Sequence, residues 1–251
     1  MSSEIKVREC STIDDFETCI ALQREAFGLP DVELSPRRHF IVSHAAGGWT
    51  LGAFVDDRLV GFVHHRVALR GNNEIIGYSH MMAVAREFQN RGVGAILKWA
   101  QRNRALSEGR SFIRWTWDPM QARNAHFNLY RLGVTVRKYA INFYGTDYAS
   151  STANQASAPG IDSDRLIAEW ELNSEHVVQL SSGNSVQLPS PDSEIAIPAD
   201  WLGLINTDPF KARSEQLRVR DEFARALADG LVAKSFVRDD ARPRYLLYRP
   251  A

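Results

Sequence analysis

The run Gln89-Asn90-Arg91-Gly92-Val93-Gly94-Ala95 sets two glycines between a short apolar stretch and the start of an amphipathic pattern. Gly92 and Gly94 allow backbone conformations that a Cβ forbids, and the first turn of a helix carries N–H groups with no intrahelical partner. With the positive end of the helix dipole, those donors suit a phosphate. Arg86 and Arg91 flank the turn, and a guanidinium presents several donors in one plane to such a group. The chemistry expected here is recognition of a phosphorylated cofactor. A dinucleotide fingerprint needs a third glycine three residues after the second, where Leu97 stands, and the Gly-Lys-Ser/Thr ending of a P-loop is missing. The plain alternative is a ligand-free strand–turn–helix unit.

Elements must hold that turn in place. Residues 77–84 make a mostly apolar run of strand length, and Val93, Ile96, Leu97 and Ala100 recur at i, i+3, i+4 and i+7, a helical face. Upstream, residues 6–10 read as a strand and Thr12 as the cap of a helix with Asp14 and Asp15 in its first turn and Ile13, Phe16, Ile20 and Phe27 on its apolar face. Gly28-Leu29-Pro30 stops that helix. Ser35-Pro36 starts another, with Pro36 at the first helical position, and Gly47-Gly48 ends it. Residues 49–55 and 59–69 flank Asp56-Asp57-Arg58 as a hairpin, and Gly71-Asn72-Asn73 turns into the strand before the glycine turn. Downstream come a strand at 111–117, a helix at about 121–132 closed by Gly133, and strands at 134–144 and 165–172. Residues 148–163, rich in Ser, Ala, Thr, Gly and Pro, read as a long loop or lid. After a second such segment at 181–193, Asp208-Pro209 opens a helix with Val219, Phe223, Ala226 and Leu227 on one face, and strands near 231–237 and 244–248 follow.

The stretch 84–95 resembles the signature of the GNAT superfamily of acyl-CoA N-acyltransferases: Gln or Arg, two residues, Gly, one residue, then Gly or Ala. The element order is similar too, from about residue 6 to residue 172. The resemblance implies an α/β fold with a mixed α+β sheet, GNAT-like, over residues 1–175, and a C-terminal αβ extension at 194–251 packed on it. It implies that Gln89, Asn90, Arg91, Gly92, Val93, Gly94 and Ala95 cradle the pyrophosphate of coenzyme A. Met82 and Val84 would offer backbone groups to pantetheine in a V between splayed strands, and Asn124 would contact the cofactor near a helix start. A helix-start hydrogen bond is the duller role for Asn124.

In that family an amine attacks the thioester of acyl-CoA within one ternary complex. The acceptor must lose a proton, the oxyanion must be held, and the leaving thiolate benefits from a proton donor. His80, on the strand lining the V, is the candidate base, because an imidazole titrates near neutral pH; a hydrogen-bonded structural histidine is its alternative. His64 and His65 alternate faces and read as structural. The family's acid is often a Tyr four residues before the Gly closing the helix. Here that position is Leu129, and Tyr130, the candidate acid, is one residue out of register, about 100° around a regular helix. A helix irregularity would restore it. Tyr144 and Tyr78 are fallback donors, Trp115 and Trp117 an apolar wall or core, and Glu169 catalytic or solvated.

Lys plus Arg equals Asp plus Glu at 30 each, so no basic excess points to nucleic acid or an anionic membrane. No apolar run approaches the ~20 residues of a bilayer span, and no signal-peptide core stands at the N-terminus. Two cysteines are too few for a disulfide framework or a clustered metal site, and no metal is expected. The reading is a cytoplasmic acyl-CoA-dependent N-acyltransferase, using acetyl-CoA or another acyl-CoA on a small-molecule amine, with homodimerisation open. Alternatives are an N-succinyltransferase acting on amino acids and a non-catalytic CoA-binding sensor or scaffold.

Overall fold

A computed structural model describes residues 4–28, 30–147 and 160–250. The chain divides into two compact units, Met1–Arg114 and Trp115–Ala251.

In the first unit, β1 (Lys6–Glu9), β2 (Trp49–Val55), β3 (Arg58–Arg70), β4 (Glu74–Val84) and β5 (Phe112–Trp117), in which the division falls, lie side by side in that order. The first four are antiparallel, whereas β4 and β5 run parallel. Asp56 and Asp57 both sit at positive φ, the conformation of the two-residue turns that match strand twist, so the β2–β3 hairpin forms where the sequence places it. The helices are α1 (Ile13–Phe27), α2 (Arg37–Ala45) and α3 (Val93–Ser107). Thr12 caps α1 through a reciprocal capping box with Asp15, whose carboxyl also takes two bonds from Arg8 at 3.0 Å. Against burial, those bonds hold Asp15 down to about 2.

Two apolar clusters divide this unit. One joins Cys10, Phe16, Cys19, Leu22, Phe40, Phe54 and Phe62; the other joins Trp49, Leu51, Val60, Val63, Val93 and Leu97. The buried face of α1 is Phe16, Cys19 and Leu22, not the expected Ile13 and Phe27, which are about half exposed. Only the part of a helix turned to the sheet is covered, and the end positions fall outside it. Pro36 is the N-cap of α2, one position earlier than expected, its ψ of 164° still being extended.

In the second unit, α4 (Ala122–Ala125) continues as a π-helical segment, His126–Arg131. It is followed by β6 (Thr135–Ala140), β7 (Thr146–Asp147), β8 (Ile161–Asp162), β9 (Arg165–Glu171), α5 (Glu175–Ser181), β10 (Ser193–Ala196), α6 (Trp201–Thr207), α7 (Pro209–Ala228), β11 (Val232–Val237) and β12 (Arg244–Tyr248). Here the order is β5, β9, β6, β11, β12, β10, with β7 and β8 as a separate pair. The strand expected to reach residue 144 ends at Ala140, where residues 141–144 turn. Asp208 caps α7 by accepting from the Lys211 amide, with Pro209 behind it. Most of the loop expected at 148–163 lies outside the described residues; β8 and Ser163 stand at its end.

Candidate active site

The expected strand, turn and helix follow one another here, but Gly94, expected to share the backbone freedom of Gly92, lies within α3 and is not left-handed. Asn90 has φ 60° and Gly92 φ 84°, so the turn needs left-handed backbone at two positions. Nothing stands within 4 Å of where a Cβ on Gly92 would lie. Gly92, the N-cap of α3, has no side chain to cap the helix, and the first turn holds no acid, so the helix start suits an external anion. Gln89 Nε2 donates to the Val84 carbonyl at 3.0 Å and ties the turn to the end of β4. Arg91 packs its guanidinium 5.5 Å from the Phe88 ring, and Arg86 donates through its backbone N–H and Nε to Glu25.

Strand β4 pairs with β5 only at Gly77↔Ile113 and Tyr78↔Arg114, then runs on to Val84 with no further partner on that edge among the described residues. Its other edge follows β3, with one irregularity: His65 pairs with Ser79 and His64 with Met81, which leaves His80 as the extra residue of a β-bulge. The consequence is visible in the side chains. Ser79 accepts from Lys98 of α3 at 3.0 Å, while His80 and the next residue, Met81, both pack toward the Phe40 side. A regular strand would have turned one of them away.

His80 joins three other imidazoles. Its ring centroid is 5.0 Å from that of His39 and 6.0 Å from that of His64, and its Nε2 lies 3.3 Å from Ser35 Oγ. His64 is fully buried, and His44 stacks at 6.2 Å from it. Burial, with His39 and Arg66 nearby, pushes His80 down to about 4, and burial with His80, His39, His44 and Arg66 pushes His64 down to about 2. At neutral pH these rings are uncharged, with lone pairs free to accept. His65 faces the other way, as the alternation predicts, stacked 4.0 Å from Trp49 and bonded to Gln101, while burial holds the Lys98 amine well below its ordinary value. The sequence does not single out His39 or His44, and marks Ser35 only as part of a helix start, for their approach to His80 is non-local and no short spacing signals it.

The remaining expected residues belong to the second unit. Leu129 is fully buried, whereas Tyr130 is half exposed with its ring 4.8 Å from His126. This helix is not regular: the Leu132 amide reaches back to the Phe127 carbonyl, the wider π turn. Asn124 is exposed. Trp115 packs edge-on to Trp170 at 5.7 Å, and Trp117 donates to the Tyr245 hydroxyl at 3.4 Å, so both are core. Tyr144 is exposed, with its hydroxyl 3.5 Å from Thr116 Oγ1, and Glu169 pairs with Arg137 at 2.7 Å.

An open strand edge leading into an uncapped helix start matches a ligand with an extended amide arm and a phosphate. Residues 16–134 match the model of the acetyltransferase (GNAT) family. Over those residues the chain is a GNAT-type acetyltransferase domain. Solved structures share the fold: the ribosomal-protein-S18-alanine N-acetyltransferase of Escherichia coli has a TM-score of 0.53 at 14% identity, over 68% of this chain and 96% of that one. A Desulfovibrio desulfuricans structure described as a putative acetyltransferase of the GNAT family scores 0.53 at 15%, over 67% and 99%. Arabidopsis thaliana Naa50, in complex with the bisubstrate analogue CoA-Ac-MVNAL, scores 0.50 at 12%, over 66% and 97%. No curated protein matches the chain by sequence. GNAT enzymes use acetyl-CoA as co-substrate and act on amines. Among the described residues no helix is long and apolar enough to cross a membrane, and no cluster of His, Cys, Asp and Glu has the geometry to hold a metal ion.

Proposed function

We propose that the GNAT domain transfers an acyl group, acetyl first, from acyl-CoA to the primary amine of a small molecule by direct attack in a ternary complex in the cytoplasm. The observation carrying this is the open edge of β4 running into the Gly92–Gly94 turn. In this reading Gln89 to Ala95 receive the pyrophosphate, Met82 and Val84 bond the pantetheine amides through backbone, and Asn124 contacts the cofactor. His80 takes the acceptor's proton and Tyr130 supplies one to the thiolate. A neutral His80 at pH 7 is open for that proton. The transferase domain spans residues 1–175, and the extension at 194–251 shapes the acceptor side.

Isothermal titration with acetyl-CoA, succinyl-CoA and free CoA, followed by a thiol-release screen over amino acids, polyamines and aminoglycosides, tests the reading. Binding with release supports it, and a preference for succinyl-CoA with amino acids would make the enzyme an N-succinyltransferase. Binding without release would leave a CoA sensor. Gly92→Trp, which fills the open space at the turn, is expected to abolish binding in a folded protein; unchanged affinity would remove the assigned site.

A further inference from the structure

Behind His80 lies a chain of hydrogen-bonding groups that the reaction as described does not use. Thr50 Oγ1, on β2, stands 3.0 Å from His44 Nε2 and 2.8 Å from His64 Nδ1, and Thr50 is fully buried. Beyond it, His44 Nδ1 faces Glu9 Oε1 at 3.9 Å, and Glu9 pairs with Arg104 of α3 at 3.0 Å. At the inner end, His64 Nε2 is buried with no hydrogen-bond partner among the described residues. The groups facing His64 are His39 and His44 of α2, His80 of β4, and Arg66 of its own strand.

A hydroxyl has one proton, so Thr50 can donate to only one of its two imidazoles. The Glu9 carboxylate favours the proton of His44 on Nδ1, because that places a donor toward an anion. His44 Nε2 is then the acceptor, Thr50 donates to it, and His64 must donate to Thr50 from Nδ1. One carboxylate thereby sets every tautomer in the chain and leaves His64 Nε2 as a bare lone pair beside the rings of His39 and His80.

We propose that Glu9, His44, Thr50 and His64 form a reversible proton store for His80 during acyl transfer, an inference that rests on the transferase reading above. The acceptor amine gives its proton to His80, and His80 passes it to His64 Nε2, directly or across one water. His64 releases its Nδ1 proton to Thr50, the Thr50 hydroxyl proton moves to His44 Nε2, and the His44 Nδ1 proton crosses a bridging water to the Glu9 carboxylate 3.9 Å away. Each ring gains one proton and gives up another, so every ring ends neutral, and the one proton taken in is held on half-exposed Glu9, whose charge is the one that changes. Once the amide has formed, the proton returns along the same groups to the thiolate or to solvent at His80, and the chain regains its first polarity. Such a store answers the low proton affinity that burial imposes on His80 and His64. Glu9, His44, Thr50 and His64 are positioning residues: they act through His80.

Nitrogen-15 NMR of the labelled full chain at pH 7 reads the His64 tautomer without any substrate. The expected signal is protonated Nδ1 and bare Nε2; a proton on Nε2 overturns the store. Thr50→Val keeps the side-chain shape and removes the hydroxyl, and is expected to lower kcat by about tenfold or more with CoA affinity unchanged, while Thr50→Ser retains most of the rate. Glu9→Gln, at a half-exposed position, tests the outer end should Thr50→Val fold poorly, with a loss of kcat expected again. Folded Thr50→Val with wild-type kcat overturns the store and leaves the transferase reading intact. Wild-type protein that binds acetyl-CoA and releases no thiol with any amine in the screen overturns the transferase reading and the store with it.

Discussion

In the first unit His39, His44, His64 and His80 pack ring against ring, with the Glu9 carboxylate only at the outer end. In the second unit Asp162 and Asp164 pack against Arg213 and Arg220, at 2.6 to 2.9 Å, with the Tyr139 hydroxyl donating to Asp164 at 2.6 Å. Both are buried polar clusters, yet they solve the cost of burial in opposite ways. Imidazoles are buried by giving up their charge, and carboxylates by keeping it against a fixed partner. A neutral imidazole can still exchange a proton with a neighbour, whereas an ion pair that loses its proton balance leaves a buried charge. The first arrangement suits chemistry. The second holds β8, β9 and α7 in register.

Acid separates the two most strongly. Each of these histidines binds a proton less well folded than unfolded, so below about pH 6.5 the unfolded chain takes up more protons. The stability contributed by keeping them neutral is present above that value and is lost as pH falls toward 4, with a total cost on the order of several kcal/mol. Asp162 also loses its contribution as pH falls, but in a lower range. Although burial opposes it, bonds from Arg220, Arg213 and Thr146 lower its pKa, so its contribution is lost only below the ordinary carboxylate range. Hydrogen exchange, corrected for intrinsic rates, is expected to show β3 and β4 losing protection at pH 5 while β9 and α7 keep it. Equal loss in both units would break the comparison.

Removing one partner should tell the clusters apart next. Arg220→Leu leaves Asp164 without its two-pronged donor, at an expected cost of about 3–5 kcal/mol in denaturant unfolding of the second unit and no change in CoA affinity. In the first unit the corresponding change, His80→Ala, is expected to leave stability nearly intact and to lower kcat by about a hundredfold, with the CoA affinity measured by titration unaltered. A wild-type rate across the pH range would return His80 to a packing role. The smallest effect belongs to Tyr139→Phe, about 1.5–3 kcal/mol by thermal melting, because Asp164 keeps Arg220 and the Asn142 amide. A neutral outcome there would mean that the tyrosine adds nothing to the ion pairs.

Much of the scaffold was legible because its signals are local. The Thr12 box, the Asp56–Asp57 turn, the Gly92 hinge and the Asp208–Pro209 start each depend on a few adjacent residues whose backbone needs are their own. The alternation that sends His64 and His65 to opposite faces was equally readable. Short elements in the Ser- and Pro-rich C-terminal half, β10, α5 and α6, escaped notice because their lengths fall below what periodicity resolves. The imidazole cluster escaped for a different reason: residues 39, 44, 64 and 80 meet only through strand register and helix docking. No glycine or proline announces the bulge at His80, so the residue that carries the candidate chemistry was named without the geometry that aims it.

That bulge makes β4 a sentence whose reading frame changes in the middle. Up to Ser79 the odd positions face α3; after one inserted letter, the odd position Met81 faces the other side, and the backbone groups offered to the open edge change parity with it. Deleting His80 would therefore do more than remove an imidazole. It would close the frame, with Met81 to Val84 keeping their β3 partners in an uninterrupted ladder.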